Sequence, residues 1–293
     1  MAFMCKRIEI FLADVRGFCA GVERALQIVE KALQEGPFPV YVLHEIVHNE
    51  AVVEDLRKRG VVFVDHIRQI PAGSGTLIFS AHGVGKMVEK EATATSLHIV
   101  DATCPIVKKL HRKMEEYEAV HRHILLFGKQ GHREVEGLLG RVASPVTVLD
   151  SIPAVESFLK EANRTLSYGS LSQTTLNAAD VEKMSLLLKE RLPDLEISAE
   201  VCFATRDRQN AVRFLAQKCP LVLVVGSEKS SNTKRLLETA IQCGAKAYLV
   251  PRAGAVKPEW FRGISSVGVT SGASCPESLL QGVCAEIRHI TGE

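Results

Sequence analysis

The stretch His98-Ile99-Val100-Asp101-Ala102-Thr103-Cys104-Pro105 runs from an apolar, strand-like segment into a cysteine. An amphipathic pattern follows at once, with Val107, Leu110, Met114 and Tyr117 at helical spacing. Pro105 suits a first helical turn, where no backbone donor is needed. The same order occurs upstream, from Ile8 through Gly17-Phe18-Cys19-Ala20-Gly21 into Val22, Ala25, Leu26, Val29, Ala32 and Leu33. It occurs again downstream, where Ile197 to Cys202 reads as a strand leading into Ala211, Val212, Leu215, Ala216 and Cys219. The three cysteines lie 85 and 98 residues apart, a spacing that suits three comparable units.

Other elements recur in step. A second strand ends in a polar loop three times: Val40 to Leu43 before His44, Ile124 to Phe127 before Gly128, and Leu221 to Val225 before Gly226. Short third strands follow at Val61 to Val64, Val146 to Leu149 and Ala247 to Val250. Fourth strands end at Ser80-Ala81-His82-Gly83, Ser172-Gln173-Thr174-Thr175 and Thr270-Ser271-Gly272-Ala273-Ser274. Strands alternating with helices predict an α/β fold of parallel sheets. Ligands then bind at the carboxyl ends of the strands, where all these polar loops fall.

The 293 residues are 46% hydrophobic and 24% charged, the profile of a globular protein, and suffice for two ordinary domains or three small ones. A net charge of +2, from 36 basic and 34 acidic residues, gives no case for nucleic-acid or membrane attraction. The longest aliphatic run, Leu221 to Val225, is far too short to span a bilayer. Lys6 and Arg7 precede an apolar stretch that Glu9 and Asp14 interrupt, so no secretory signal is evident and a cytoplasmic location is expected. The eight cysteines contain no C-x-x-C pair, which disfavours zinc ribbons and thioredoxin-like motifs. No phosphate-binding glycine motif of the nucleotide folds occurs either.

Cys19, Cys104 and Cys202 each stand at a helix start, where the thiolate is favoured. Three thiolates suit an iron–sulfur cluster with one iron lacking a protein ligand. The alternative is burial in the core, the role expected of Cys5, Cys219, Cys243 and Cys284. The second set of loops offers phosphate donors: His44, His48 and Asn49; His132 and Glu134; Ser230, Ser231 and Asn232. Ser230 to Asn232 also read as a cap for a helix beginning near Thr233, and His82 as a turn residue. Glu134 is the one carboxylate among these residues and suits proton donation; a solvated helix-start glutamate is the alternative.

Taken together, the chain resembles the LytB/IspH family of 4-hydroxy-3-methylbut-2-enyl diphosphate reductases. The matching motifs include Arg16-Gly17-Phe18-Cys19-Ala20-Gly21-Val22, His44-Glu45-Ile46-Val47-His48-Asn49, Ser80-Ala81-His82-Gly83, Asp101-Ala102-Thr103-Cys104-Pro105 and Gly131-His132-Arg133-Glu134. They continue through Gln173-Thr174-Thr175-Leu176, Cys202-Phe203-Ala204-Thr205, Gly226 to Asn232, and Gly268 to Ser274. The resemblance implies a trefoil of three pseudo-threefold-related α/β units around one 4Fe–4S cluster, held by Cys19, Cys104 and Cys202 with one open iron. The units would be residues 14–103, 104–198 and 199–293, with the N-terminal strand 1–13 completing the third. The strand before each ligating cysteine would complete the sheet of the preceding unit. His44, His82, His132, Ser230, Ser231, Asn232 and Ser274 would hold the diphosphate. Glu134 would deliver protons, Thr174 would orient the substrate hydroxyl and Thr175 would support it. The implied reaction is two-electron removal of that hydroxyl, with electrons from a ferredoxin- or flavodoxin-type partner.

The chain departs from the family pattern in carrying Asp14-Val15 before Arg16, Arg133 in place of a proline, and Asp207 in place of an asparagine. The Arg133 guanidinium is expected to point into solvent; the alternative is a place near the diphosphate entrance, where it would speed capture of the anion. A rival reading is a noncatalytic iron–sulfur protein that keeps the fold, for which Glu134 and Thr174 would be unnecessary.

Overall fold

The structure, a computed structural model, describes residues 8–292. Among them, in chain order, are β1 (Glu9–Leu12), α1 (Ala20–Glu35), β2 (Val40–Leu43), α2 (Glu50–Lys58), β3 (Val61–Val64), β4 (Thr76–Phe79), α3 (Lys86–Thr93) and β5 (His98–Asp101). Then come α4 (Pro105–Ala119), β6 (His123–Phe127), α5 (Arg133–Leu139), β7 (Val146–Leu149), α6 (Ile152–Glu161), β8 (Tyr168–Ser172), α7 (Ala178–Arg191) and β9 (Leu195–Ile197). The chain closes with α8 (Phe203–Lys218), β10 (Leu221–Val225), α9 (Ser231–Gln242), β11 (Lys246–Val250), β12 (Ser266–Ser271) and α10 (Glu277–Thr291).

The strands form three four-stranded sheets, ordered β3-β2-β4-β5, β7-β6-β8-β9 and β11-β10-β12-β1. Every pairing is parallel. The three orders are the same pattern, so the repeat in element order is also a repeat in topology. The last strand of each sheet is the one that leads toward a cysteine, and β1 takes that place beside β12. A smaller feature repeats as well. The residue after each second strand donates its N–H to the last carbonyl of the third: His44 to Val64 at 2.7 Å, Gly128 to Leu149 at 3.1 Å and Gly226 to Val250 at 3.1 Å. These bonds hold the polar loops at the carboxyl edge of each sheet.

The chain groups into two compact units. Of the described residues, one takes in 8–19, His48–Val52 and 203–292; the other takes in Ala20–Val47 and Val53–Cys202. In the first, β10 is buried on both faces. Leu221, Leu223 and Val225 meet Leu280, Val283 and Ile287 of α10, while Val222 and Val224 meet Val212 and Leu215 of α8 and Leu236 and Ala240 of α9. In the second, β6 does the same: Leu125 and Phe127 pack on Val181, Met184 and Leu188 of α7, and Ile124 and Leu126 on Leu110 and Met114 of α4 and Leu138 of α5. Continuous apolar runs are what doubly covered parallel strands need.

Some expectations change. The segment read as a strand up to Cys202 leaves the sheet at Ile197, and Ala199 and Val201 turn into the core beside α7. Cys219 and Cys284 are buried as expected, but Cys243 is exposed, because it caps the C-terminus of α9 rather than lying on its inner face. Cys275, not assigned to the core from sequence, is fully buried there. Cys5 and the residues before Ile8 lie outside the described residues. Among the described residues no helix is long and apolar enough to cross a membrane.

Beneath the loop after β4 lies a buried titratable group. Gly83 turns with φ +74°, and a Cβ there would come within 2.7 Å of the His111 ring. His111 is 7% exposed and its Nε2 has no hydrogen-bond partner. Burial, helped by the Arg141 charge, pulls its pKa down to about 4. The unfolded chain therefore takes up a proton near pH 6.5 that the folded chain refuses until near pH 4. Stability from this residue is complete above the unfolded pKa and drains away as pH falls from about 6.5 to about 4, by about 2 kcal/mol after solvent screening. Melting temperatures of the wild type and His111→Leu at pH 7 and pH 4.5 check this. The variant should lose less on acidification, and equal losses would remove His111 as the cause.

Candidate functional site

In the larger unit, the site residues hang on the carboxyl ends of β2, β4, β6 and β8. His44 follows β2 with φ +62°, a left-handed backbone that costs a non-glycine residue about 1 kcal/mol or more and tends to be kept at functional positions. Its Nδ1 lies 3.8 Å from Asp65 Oδ1. Burial and the Arg133 guanidinium hold the imidazole below its usual pKa, against the pull of Asp65 and Glu136. After β4, the Ser80 hydroxyl lies 3.3 Å from His82 Nδ1. The His82 and His132 rings meet edge to face, with centroids 5.9 Å apart.

His132 is the N-cap of α5, and its Nδ1 accepts the Glu134 N–H at 3.2 Å. A neutral ring that accepts at Nδ1 carries its proton on Nε2, the form that can donate to a phosphate oxygen. Glu134 is 2% exposed, and both carboxylate oxygens are engaged by one residue. The Thr174 N–H donates to Oε1 at 2.6 Å and the Thr174 hydroxyl to Oε2 at 2.8 Å. The alternative of a solvated glutamate is thereby excluded. Gln173 had no role assigned from sequence, yet it is fully buried. Its Oε1 accepts the Lys129 N–H at 3.1 Å and its Nε2 donates to Thr175 Oγ1 at 2.9 Å, tying the loops after β6 and β8 together. Its place in the Gln173-Thr174-Thr175 motif was the available signal.

Arg133 stays at the surface with 38% of its side chain exposed, and there its guanidinium donates to Glu136 at 3.0 Å and lies 3.9 Å from Asp65. Asp65 stands in the segment after β3 and carried no local signal of such a role.

In the smaller unit, Ser230 caps α9, accepting the Thr233 N–H at 3.3 Å, so the capping expectation holds. The helix begins at Ser231, slightly earlier than expected. Asn232 is 4% exposed, and neither its Oδ1 nor its Nδ2 has a hydrogen-bond partner. A buried amide without partners is costly unless a ligand or water completes it. The Ser274 hydroxyl donates to the His48 carbonyl at 3.0 Å. Upstream of Cys19, Gly17 turns with φ +70° and donates its N–H to Ser271 Oγ at 2.8 Å. The buried Arg208 guanidinium clamps the Gly17 carbonyl at 2.8 Å. The role of Arg208 was not foreseen, since a mid-helix arginine normally reads as a solvated face.

The seven described cysteines form no disulfide, and they divide chemically. Cys219, Cys275 and Cys284 are buried, and burial pushes their thiols up, that of Cys275 to about 12. Cys19, Cys104 and Cys202 are half-buried, and each immediately precedes a helix, α1, α4 or α8. Their backbones repeat one contact. Cys104 donates its N–H to Ala81 O at 3.0 Å, Cys202 to Thr174 O at 3.2 Å and Cys19 to Ala273 O at 3.2 Å. Each acceptor is the carbonyl just before a candidate substrate residue: His82, Thr175 and Ser274. Among the described residues no group of three or more His, Cys, Asp or Glu side chains is set to hold a single metal ion.

The LytB protein family matches residues 10–288. The 4-hydroxy-3-methylbut-2-enyl diphosphate reductase of Desulfotalea psychrophila is 46% identical, covering 98% of this chain and 94% of its own length. That of Bordetella pertussis is 45% identical, covering 96% of this chain and 86% of its own. The solved structure of E-1-hydroxy-2-methyl-but-2-enyl-4-diphosphate reductase from Plasmodium falciparum superposes with a TM-score of 0.91 at 31% identity, covering 96% of this chain and 88% of that one. With a match across nearly its whole length and relatives this similar, the chain belongs to the LytB protein family.

Proposed function

We infer that the chain reduces 4-hydroxy-3-methylbut-2-enyl diphosphate, removing its allylic hydroxyl to give isopentenyl and dimethylallyl diphosphates in the non-mevalonate route to isoprenoids. The observation that carries this reading is the contact repeated at each cysteine, which couples a half-buried thiol to a loop bearing a candidate substrate residue. Family membership implies an iron–sulfur cluster, and the donor set fits one. Cys19, Cys104 and Cys202 are half-buried at helix starts, whereas Cys275 is buried and its thiol is pushed up to about 12. A cluster takes its thiolates one per iron, so its ligands do not gather on one point as those of a single ion do. We read it as a single 4Fe–4S cluster held by Cys19, Cys104 and Cys202, with one iron left open. The division into units 14–103, 104–198 and 199–293, the last completed by the N-terminal strand, belongs to the same reading.

When bound, the cluster supplies the two electrons of the reaction one at a time. The balance is one allylic alcohol, two electrons and two protons in, and one alkene and one water out. The chain's own residues bind the anion and move the protons. His44, His82, His132, Ser230, Ser231, Asn232 and Ser274 hold the diphosphate, and the partnerless Asn232 amide is the strongest single sign of a missing polar ligand. Thr174 Oγ1 spends its proton on Glu134 and keeps lone pairs for the substrate hydroxyl, which orients that group toward the carboxyl. Glu134, when protonated, donates to Thr174 Oγ1 instead, and the Thr174 proton turns to the departing oxygen, so one proton passes from the carboxyl through this hydroxyl. Thr175 is held by Gln173 beside it. Electrons come from a ferredoxin- or flavodoxin-type protein, and the enzyme works in the cytoplasm, where thiols stay reduced.

Anaerobic reconstitution with iron and sulfide, followed by turnover with reduced viologen, tests the reading. Substrate should disappear with formation of the two isomeric diphosphates. A protein that takes up iron and sulfide but leaves the substrate intact would establish the noncatalytic alternative instead.

A further inference from the structure

Arg133 stands where the site is most constrained. It is the first residue of α5, between the N-cap His132 and the buried Glu134, so its backbone cannot move without disturbing both. Its guanidinium reaches two carboxylates, Glu136 at 3.0 Å and Asp65 at 3.9 Å. The same Asp65 oxygen lies 3.8 Å from His44 Nδ1. Asp65 and Glu136 are therefore two negative charges set beside a residue that receives a diphosphate, and Arg133 is the cation placed between them. Without it, both would oppose the incoming anion, because like charges near a binding surface suppress association. Resting on the reading that His44 holds the diphosphate, we propose that Arg133 is a positioning residue that masks Asp65 and Glu136, keeping the His44 side of the site receptive to anions.

The inference differs from a role in starting α5. A residue that only stabilises the helix start would act on folding, and its loss would not be repaired by removing charge elsewhere. A residue that masks two carboxylates is dispensable once those carboxylates are neutral. It also differs from direct contact with the diphosphate, whose loss would persist in the neutralised background.

The test uses the reconstituted holoenzyme and four proteins: wild type, Arg133→Met, Asp65→Asn/Glu136→Gln, and the triple variant combining all three changes. Arg133→Met keeps the apolar stem and removes only the charge. It should raise KM for the diphosphate about fivefold with kcat within about twofold, the range of a partly exposed charge at a binding rim. The rise should shrink in high salt, since screening shortens the reach of the two carboxylates. The triple variant should return to within about twofold of the wild-type KM. Pyrophosphate binding, followed by calorimetry on the same four proteins, should show the same loss and the same repair. This arm does not depend on turnover. If the wild type binds pyrophosphate but reduces nothing, the functional reading fails while the masking role can still be scored. A KM for Arg133→Met equal to wild type, or a loss the triple variant does not repair, would overturn the proposal.

Discussion

Cys104→Ala is expected to lose the cluster and all measurable turnover together, while Cys243→Ala keeps both. Cys104 is the N-cap of α4, with Pro105 at the first helical position, and its side chain does not cap the helix. The unsatisfied N–H groups of that first turn favour a thiolate there. Its N–H is anchored to Ala81, so losing the sulfur need not disturb the backbone. Cys243 also stands at a helix end, but at the C-terminus of α9, where the carbonyl dipole disfavours an anion, and it is exposed. Iron and sulfide content, measured with the thermal unfolding curve of each reconstituted protein, separates loss of a ligand from loss of fold. Full iron and sulfide in folded Cys104→Ala would sink the assignment. The same substitution at Cys19 or Cys202 should behave as at Cys104, because the three share position and backbone contact.

The repeat was legible because central parallel strands must be apolar on both faces. Val40 to Leu43, Ile124 to Phe127 and Leu221 to Val225 announce themselves without any alternation. Edge strands are less well marked. β9 has only three residues, and the apolar signal continuing past it comes from Ala199 and Val201, which enter the core without joining the sheet. Cysteine positions were visible; cysteine environments were not. Cys243 is exposed against expectation and Cys275, which carried no expectation, is buried, because exposure depends on which neighbour covers a residue and no local pattern carries that. The ties between loops were hidden for the same reason. Asp65 and Arg133 are far apart in the chain, and so are Arg208 and Gly17. Asp65 follows β3 of one sheet and Arg133 starts α5 after β6 of another, while Arg208 reaches Gly17 from within α8, so neither meeting follows from a local pattern. The departure at Arg133 was plain in the sequence, but its partners were not.

Glu134→Gln should leave substrate binding nearly intact and collapse turnover. The substitution preserves volume, and glutamine can still accept the Thr174 N–H that now lies 2.6 Å from Oε1. At the second oxygen the polarity reverses. The Thr174 hydroxyl now donates to Oε2 at 2.8 Å; facing an amide NH2 it would instead accept, and would turn its own proton toward the substrate. The alignment of Thr174 then changes while its position does not. More importantly, an amide has no proton to deliver to the departing oxygen. With Glu134 only 2% exposed, bulk water is a poor substitute. Removing a placed general acid typically costs about a hundredfold or more in rate. Dissociation constants from calorimetry should stay within about threefold of wild type, because on the proposed reading other residues hold the diphosphate and Glu134 acts only in the proton-transfer step. Thr174→Val supplies the complementary case. It removes the hydroxyl that links acid to substrate but leaves the N–H to Oε1, so it should slow turnover less than Glu134→Gln does. A Glu134→Gln protein with a full cluster and near-normal turnover would remove this carboxyl from proton delivery. Equal collapse in binding and turnover would instead recast it as a structural support for the loop after β8.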